Sequence, residues 1–383
     1  MARDDDILVI LFLRGGMDGL HLICPAGDPD MIAARPEDLR VARRGDAAGY
    51  VLDNPAADVD FRFHPAAGGL AELYRAGELA VVHASGLTDG TRSHFEAEDR
   101  MERAAPGAGL ASSGWLARWL AETRPEGTLP VLAVGDRAPD SLRGAHEVAV
   151  ANYLEDLALP GDSGDQELLI PALMNGFAGN PLMSGPLTRL LQVNKALRGR
   201  LFDAHDELIE YQSAVEYPEN DLSEMLRQVA QAIKLDLGLR VATVDFGGWD
   251  THEGQADAFA GQAAALSGAL MAFWRDLGPI AARTNVVVMS EFGRRLRANT
   301  SAGTDHGFGN AMMVLGGNVR GGRMLGRWPG LTGEALDDGL DLAITTDYRD
   351  VLAEVLTAQN GGADLGRVLP GHAPAPVGIF GPA

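Results

Sequence analysis

The sequence predicts an α/β fold with a central, mostly parallel sheet and helices on both faces, and three observations carry that prediction. The runs Ile7 to Leu13, Val241 to Phe246 and Asn285 to Ser290 are strand-length and almost wholly apolar, as strands covered on both faces are. A long Ala-rich helical pattern, Gln255 to Leu277, separates the second run from the third, and this βαβ order requires a parallel crossover. Each run ends in a loop rich in Gly and acidic or imidazole side chains, the place where ligands bind in open α/β sheets.

Taken in order, Ile7 to Leu13 delivers Asp18 into R-G-G-M-D-G-L-H, and His21 follows in the apolar L-H-L-I-C. Residues 28–63 are polar and Pro/Gly-rich, which predicts a long excursion with little regular structure. Gly69 to Arg75 reads as a helix and Leu79 to Val82 as a strand ending at His83. The next helix begins near Thr91 or Ser93 in T-R-S-H-F-E-A-E-D and runs to Glu102. Glu96 stands three residues after Ser93, the spacing of a capping box. A hydroxyl there is either an N-cap or a nucleophile at a helix N-terminus. Trp115 to Glu122 is helical, Leu129 to Val134 is a strand, and residues 152–180 read as loop-rich. Helical spacing spans Leu187 to Tyr217 and about Leu222 to Leu237.

The Val241 strand then opens into G-G-W-D-T-H-E-G, placing Asp250 and His252 together. The strand ending at Ser290 continues into Glu291 of S-E-F-G-R-R, and a Gly/Asn/Thr loop presents Asp305 and His306. Ala311 to Leu315 is another strand, and a helix from Thr346 to Ala358 closes the pattern. No repeat or linker appears, so residues 1–383 read as a single domain with insertions at about 28–63 and 140–237.

Composition narrows the function. The 383 residues carry 32 Lys+Arg against 53 Asp+Glu, a formal charge of −21, which disfavours nucleic acid and anionic membrane surfaces. No apolar run is long enough to span a bilayer. The first residues, with Arg3-Asp4-Asp5-Asp6, do not read as a secretory leader. Cys24 is the sole cysteine, so no intrachain disulfide can form.

Asp18, Asp250, His252, Glu291, Asp305 and His306 together supply ligands for one or two divalent metals, with zinc, manganese, magnesium and calcium all open. Such a centre could clamp the oxygens of a transfer at phosphorus or sulfur. Ser93 or Thr91 would be the nucleophile, and Arg92, Arg294 and Arg295 could hold anionic oxygens. His64, His83 and His94 are read as structural.

These motifs, from I-L-V-I-L-F-L-R-G-G-M-D-G-L through T-R-S-H-F-E-A-E-D, D-F-G-G-W-D-T-H-E-G and V-V-M-S-E-F-G-R-R to G-T-D-H-G, resemble an uncharacterised bacterial domain-of-unknown-function family assigned to the alkaline phosphatase/sulfatase superfamily. The resemblance spans Ile7 to about Leu356. It implies an alkaline-phosphatase-like three-layer core with metal at its strand ends. By position it gives Asp18 the first-strand metal role, Ser93 or Thr91 the nucleophile's place, Asp250 and His252 a metal pair, and His306 the last metal histidine. Two departures stand out. Phe292 takes the place of a histidine after Glu291, which points to a single-metal or altered site. Neither Cys24 in C-P-A-G-D nor Ser93 in S-H-F-E has a formylglycine context, which disfavours a formylglycine sulfatase. Members commonly carry twin-arginine export signals, implying a periplasmic or secreted protein.

The resulting expectation is a metal-dependent hydrolase acting on a small-molecule or polymer phosphate or sulfate ester. The alternatives are a non-catalytic exported binding protein that keeps the fold and a phosphomutase-like isomerase.

Overall fold

The computed structural model describes residues 6–45, 47–53, 58–105, 112–359 and 362–381; Arg3, Asp4 and Asp5 of the N-terminal reading lie outside them. Nine strands form the main sheet: β1 (Ile7–Leu13), β2 (Leu79–Gly86), β3 (Val131–Val134), β4 (Val148–Ala151), β5 (Val241–Phe246), β6 (Thr284–Met289), β7 (Asn310–Gly316), β8 (Arg323–Leu325) and β9 (Thr346–Asp347). Their order is β8-β2-β7-β6-β1-β5-β3-β4, with β9 also on β2. Every pairing is parallel except those of β7, which runs against both β2 and β6.

The uniform hydrophobicity of β1 has the reason expected of it. Side chains alternate across a strand, and Ile7, Val9, Leu11 and Leu13 enter one core while Leu8, Ile10 and Phe12 enter the other. The first core is closed by helices Gly68–Arg75, Asp221–Lys234 and Gln255–Leu277, the second by His94–Arg103, Trp115–Thr123 and Tyr348–Gln359. The sandwich therefore has three layers, as predicted. In the longest helix, Phe259, Ala263, Leu266, Leu270, Phe273 and Leu277 make the buried stripe, spaced three and four residues apart as one helix face requires. It ends at Gly278, whose φ of +53° only glycine adopts freely.

Several expectations are corrected. Residues 152–180 hold more than loop, since Ser163–Gly176 is a helix, and just before them β4 forms an outer strand of the sheet that no sequence pattern marked. The Leu187 to Tyr217 pattern is a helix only as Pro181–Leu201, because Pro181 starts it and the polar segment after Phe202 lacks an apolar stripe. The 28–63 excursion contains helix Pro29–Ala34, and strands Tyr50–Val51 and Phe61–Phe63 complete a small antiparallel sheet with Ile23–Pro25. The last helix starts at Tyr348, since Thr346 and Asp347 pair with β2. Among the described residues, no helix is long and apolar enough to cross a membrane.

Candidate metal centre

β6, β1 and β5 are neighbours at the middle of the sheet and run parallel, so Glu291, the 14–18 loop and the 247–252 loop emerge along one edge. The antiparallel β7 begins at that edge, which brings Asp305 and His306 there from the preceding ribbon, Arg294–Ala298 with Thr304–His306. β2 ends at the same edge and leads to His94 at the head of helix His94–Arg103. Two glycines let the first loop lie flat. A Cβ on Gly15 (φ +117°) would stand 2.6 Å from the Asp250 backbone nitrogen, and one on Gly16 (φ +62°) would stand 2.4 Å from the Phe292 ring.

Arg294 fastens these loops together. It is buried, and its nitrogens donate to the carbonyls of Gly16 (2.7 Å), Gly15 (2.5 Å), Thr304 (2.9 Å) and Trp249 (3.1 Å) and to Asp250 Oδ1 (2.7 Å). Burial pushes the Asp250 carboxyl up, but the hydrogen bond and charge of Arg294, with the neighbouring imidazoles of His306 and His252, outweigh it and hold the group at about 2.

Around Asp250 three imidazoles converge. His306 Nε2 lies 3.2 Å and His252 Nε2 3.1 Å from Asp250 Oδ1, and His94 Nε2 lies 3.6 Å from Oδ2. The two nitrogens of His252 and His306 are 2.8 Å apart. His306 Nδ1 is 2.8 Å from the Arg92 carbonyl, an acceptor only, so Nδ1 carries the proton and Nε2 presents a lone pair. His94 Nδ1 is likewise 2.7 Å from Glu291 Oε1, while its buried Nε2 has no hydrogen-bond partner. The Glu291 bond raises the His94 pKa against the opposing effect of burial, whereas burial lowers that of His306. His252 Nδ1 faces Asp305 Oδ1 at 3.5 Å, and Asn299 holds Asp305 at 3.1 Å.

The donors fit a divalent cation. Ligand atoms of His94, Asp250 and His306 lie within 4.8 Å of one another, the His₂-carboxylate type of set that leaves a coordination position open. Each of the two imidazoles has its outer nitrogen fixed by an acceptor, as metal-binding histidines do. The Phe292 ring lies 4.8 Å from the centroids of both His94 and His306, an apolar wall where the resemblance expected a histidine.

The expected site residues divide accordingly. Asp250, His252 and His306 come together, and Asp305 and Glu291 stand behind them as orienting carboxylates. Burial alone would raise the Glu291 pKa, but His94 and the backbone N–H groups of Glu291, Gly15 and Gly16 lower it. Its contacts differ from the ligand role read from sequence because its oxygens are spent on His94, Gly15 and Ser290.

Asp18 is not in the cluster. It is fully buried, paired to Arg35 at 2.7 and 3.1 Å and bonded by Gln255 at 2.7 Å. Arg294 is committed to the protein and is not free to bind substrate. Arg295 lies between Asp305 (4.0 Å) and Asp341 (3.8 Å), and Arg92 is paired with buried Asp341.

Ser93 occupies the N-cap position, yet its exposed side chain makes no capping bond, and the predicted box with Glu96 does not form. Thr91 Oγ1 instead donates to Glu96 at 2.7 Å and accepts from Ser93 N at 3.2 Å. His94, read as structural, is the residue the sequence reading missed. Its signal was available, since it follows a fourth strand ending at the same edge.

Residues 81–372 match the profile of the family described as "Protein of unknown function (DUF1501)". No curated protein sequence matches the chain. Among solved structures, i-CgsB in complex with k-i-k-neocarrahexaose is similar at 10% identity and a TM-score of 0.44, covering 96% of this chain and 74% of that one. The C-terminal periplasmic domain of EptC from Escherichia coli, in complex with Zn, gives 8%, 0.39, 82% and 75%. The phosphonate monoester hydrolase of Agrobacterium radiobacter gives 9%, 0.40, 96% and 78%.

Proposed function

The chain belongs to the DUF1501 family, and we propose that it is a hydrolase of phosphate or sulfate esters that works at one divalent metal held by His94, Asp250 and His306, with His252 beside them. The observation that carries this reading is the inward convergence of three imidazole Nε2 atoms on the Asp250 carboxylate, two of them with the opposite nitrogen tied to an acceptor. Packing gives no reason to gather three imidazoles around a carboxylate with two of them presenting a lone pair.

When bound, the metal would act as a Lewis acid toward the oxygens of the transferring group. Arg294 fixes Asp250, Glu291 fixes His94, and Asp305 backs His252, so the ligands need little reorganisation. Ser93 directly precedes His94, and its hydroxyl is free of the capping bond that would compete for it, whereas that of Thr91 is engaged by Glu96. Ser93 is therefore the nucleophile in this reading. Its Oγ attacks phosphorus or sulfur, the ester oxygen leaves as an alcohol carrying the serine proton, and water cleaves the seryl ester.

Elemental mass spectrometry of the purified full chain tests the centre. About one equivalent of a divalent metal, lost in Asp250→Ala/His306→Ala, is expected. Aryl phosphate and aryl sulfate esters should then be turned over by the loaded wild type and by Thr91→Ala, but not by Ser93→Ala. Absence of metal after incubation with zinc, manganese, magnesium and calcium in turn would overturn the proposal. A loaded protein inert toward both ester classes would favour the exported binding protein.

A further inference from the structure

From Leu168 to Thr188 the chain runs 21 residues without a charged side chain or a histidine, although its formal charge is −21. This stretch forms the outer part of two helices, Ser163–Gly176 and Pro181–Leu201, joined by a short turn. Gln166 and Asn194, each 14 residues from Asn180 at the turn, are hydrogen-bonded at 2.9 Å, so the helices run antiparallel as a hairpin. Its foot is anchored: Val193, Leu197 and Leu201 are buried in the core. Its outer part is not. Leu182 is 84% exposed, Leu168 77% and Met174 56%.

Beside the foot lies the complement of that tip. A cavity of about 1120 Å³ opens between the second helix and the sheet's outer strand β4, with Val148, Val150, Leu157, Pro160, Pro186 and Leu190 among its lining. Among the described residues, β4 pairs only with β3.

We propose that this hairpin is where two copies of the chain meet, packed antiparallel across a two-fold axis so that the apolar tip of each sits in the groove at the other's foot. An apolar knob and an apolar groove lie on the same element, about 15 Å apart at 1.5 Å per residue from Asn180 at the turn to Leu190. Antiparallel overlap over that length satisfies both at once, which gives a closed, isologous pair rather than an open filament, and two helical hairpins face to face make a four-helix bundle. Charge favours a second copy over other occupants. With −21 on each chain, close approach elsewhere sets like charges against one another, while here the tip carries none and the groove's Glu147 is paired with Arg189, which leaves Asp156 as its one unpaired acid among the described residues. The same charge repels an anionic bilayer.

Light scattering coupled to size exclusion, on the full chain over a range of concentrations, reads the outcome. A mass twice the chain's 40.5 kDa is expected, falling to the single-chain mass in Leu168→Glu/Leu182→Glu with near-ultraviolet circular dichroism unchanged. Because Cys24 is buried, introduced thiols can be cross-linked selectively. Mixing Leu182→Cys with Ala149→Cys should form a disulfide between copies faster than either variant alone. A chain that is monomeric throughout, a dimer that survives the double Glu variant, or wild type that stays monomeric and co-sediments with zwitterionic vesicles would each overturn the proposal.

Discussion

Two acidic clusters lie at one edge of the same sheet, and from the sequence they look alike. Asp18 and Asp250 both follow an apolar strand and a pair of glycines, and both have a histidine a few residues on. Their surroundings separate them. Asp18 finds its counter-charge inside the protein: Arg35 grips both oxygens, and Gln255 and the His21 backbone fill the remaining lone pairs. The Asp18 pKa is lowered although burial alone would raise it, because Arg35, His21 and the Gln255 hydrogen bond together outweigh burial. Beside it His21 is stacked on Phe259, and burial takes its pKa down to about 3. Asp250 has one guanidinium on one oxygen and faces three imidazole nitrogens with no protein cation among them. A strand-end carboxylate is thus structural when the chain completes its shell, and a ligand candidate when neighbouring lone pairs point at it unpaired.

The largest way to break this comparison is to remove the internal cation. Arg35→Met leaves Asp18 as an uncompensated buried charge and should cost about 3–5 kcal/mol in denaturant unfolding. The double variant Asp18→Leu/Arg35→Met should recover much of that loss, and metal content per folded chain should not change in either. A loss of metal in Asp18→Leu/Arg35→Met would return Asp18 to the site. Asp250→Ala is the converse. Its metal-free form should unfold near wild type, but it should lose the metal-linked stabilisation, about 2.7 kcal/mol at a free metal concentration 100 times Kd, together with ester turnover. Thermal scans with and without metal distinguish the two behaviours.

How far these clusters were legible follows from the range of the forces involved. Strands β1, β5 and β6 and helix Gln255–Leu277 were readable within about a residue, because burial on both faces, or on one helical stripe, writes itself into local hydrophobicity. The edge strand β4 and helix Ser163–Gly176 were not. β4 is only half-buried, and the helix buries Gln166 alone, so neither carries a clean period. Asp250, His252 and His306 were found by the rule that ligands follow strand ends. His94 escapes the sequence because the apolar run ends at His83, whereas the strand continues to Gly86. That Asp18 belongs to Arg35 had no local sign, since Arg35 arrives from the polar excursion and only the folded chain brings it to Asp18.

The comparison sharpens at Glu291, a buried carboxylate whose counterpart is the His94 imidazole. Glu291→Gln keeps an acceptor for His94 Nδ1 but removes the charge that strengthens the imidazole as a donor. Metal affinity should fall roughly 10- to 100-fold, measured by competition with a chromophoric chelator. An unchanged affinity would show that Glu291 only fills space.

The smallest effect separates the buried imidazoles from those at the site through pH. His21, His64 and His83 are held neutral by burial, with pKa values down at about 3, 4 and 4. Unfolding frees them to titrate near 6.5, so between that value and about 4 the unfolded chain binds more protons than the folded one. Stability must then rise with pH across this window and fall on acidification, each such histidine contributing a slope of at most about 1.4 kcal/mol per pH unit. His83 isolates one of them: both its nitrogens are buried without partners, and its ring packs against Phe61 and Trp328. Replacing it with Phe strands no hydrogen bond. The slope of unfolding free energy between pH 4.5 and 6 in His83→Phe, measured on metal-free protein, should therefore drop by about one proton's worth. An unaltered slope would mean that His83 is protonated in the folded state. A buried cation would then sit against Trp328, and the division between neutral interior imidazoles and a ligand-bearing edge would fail on the interior side.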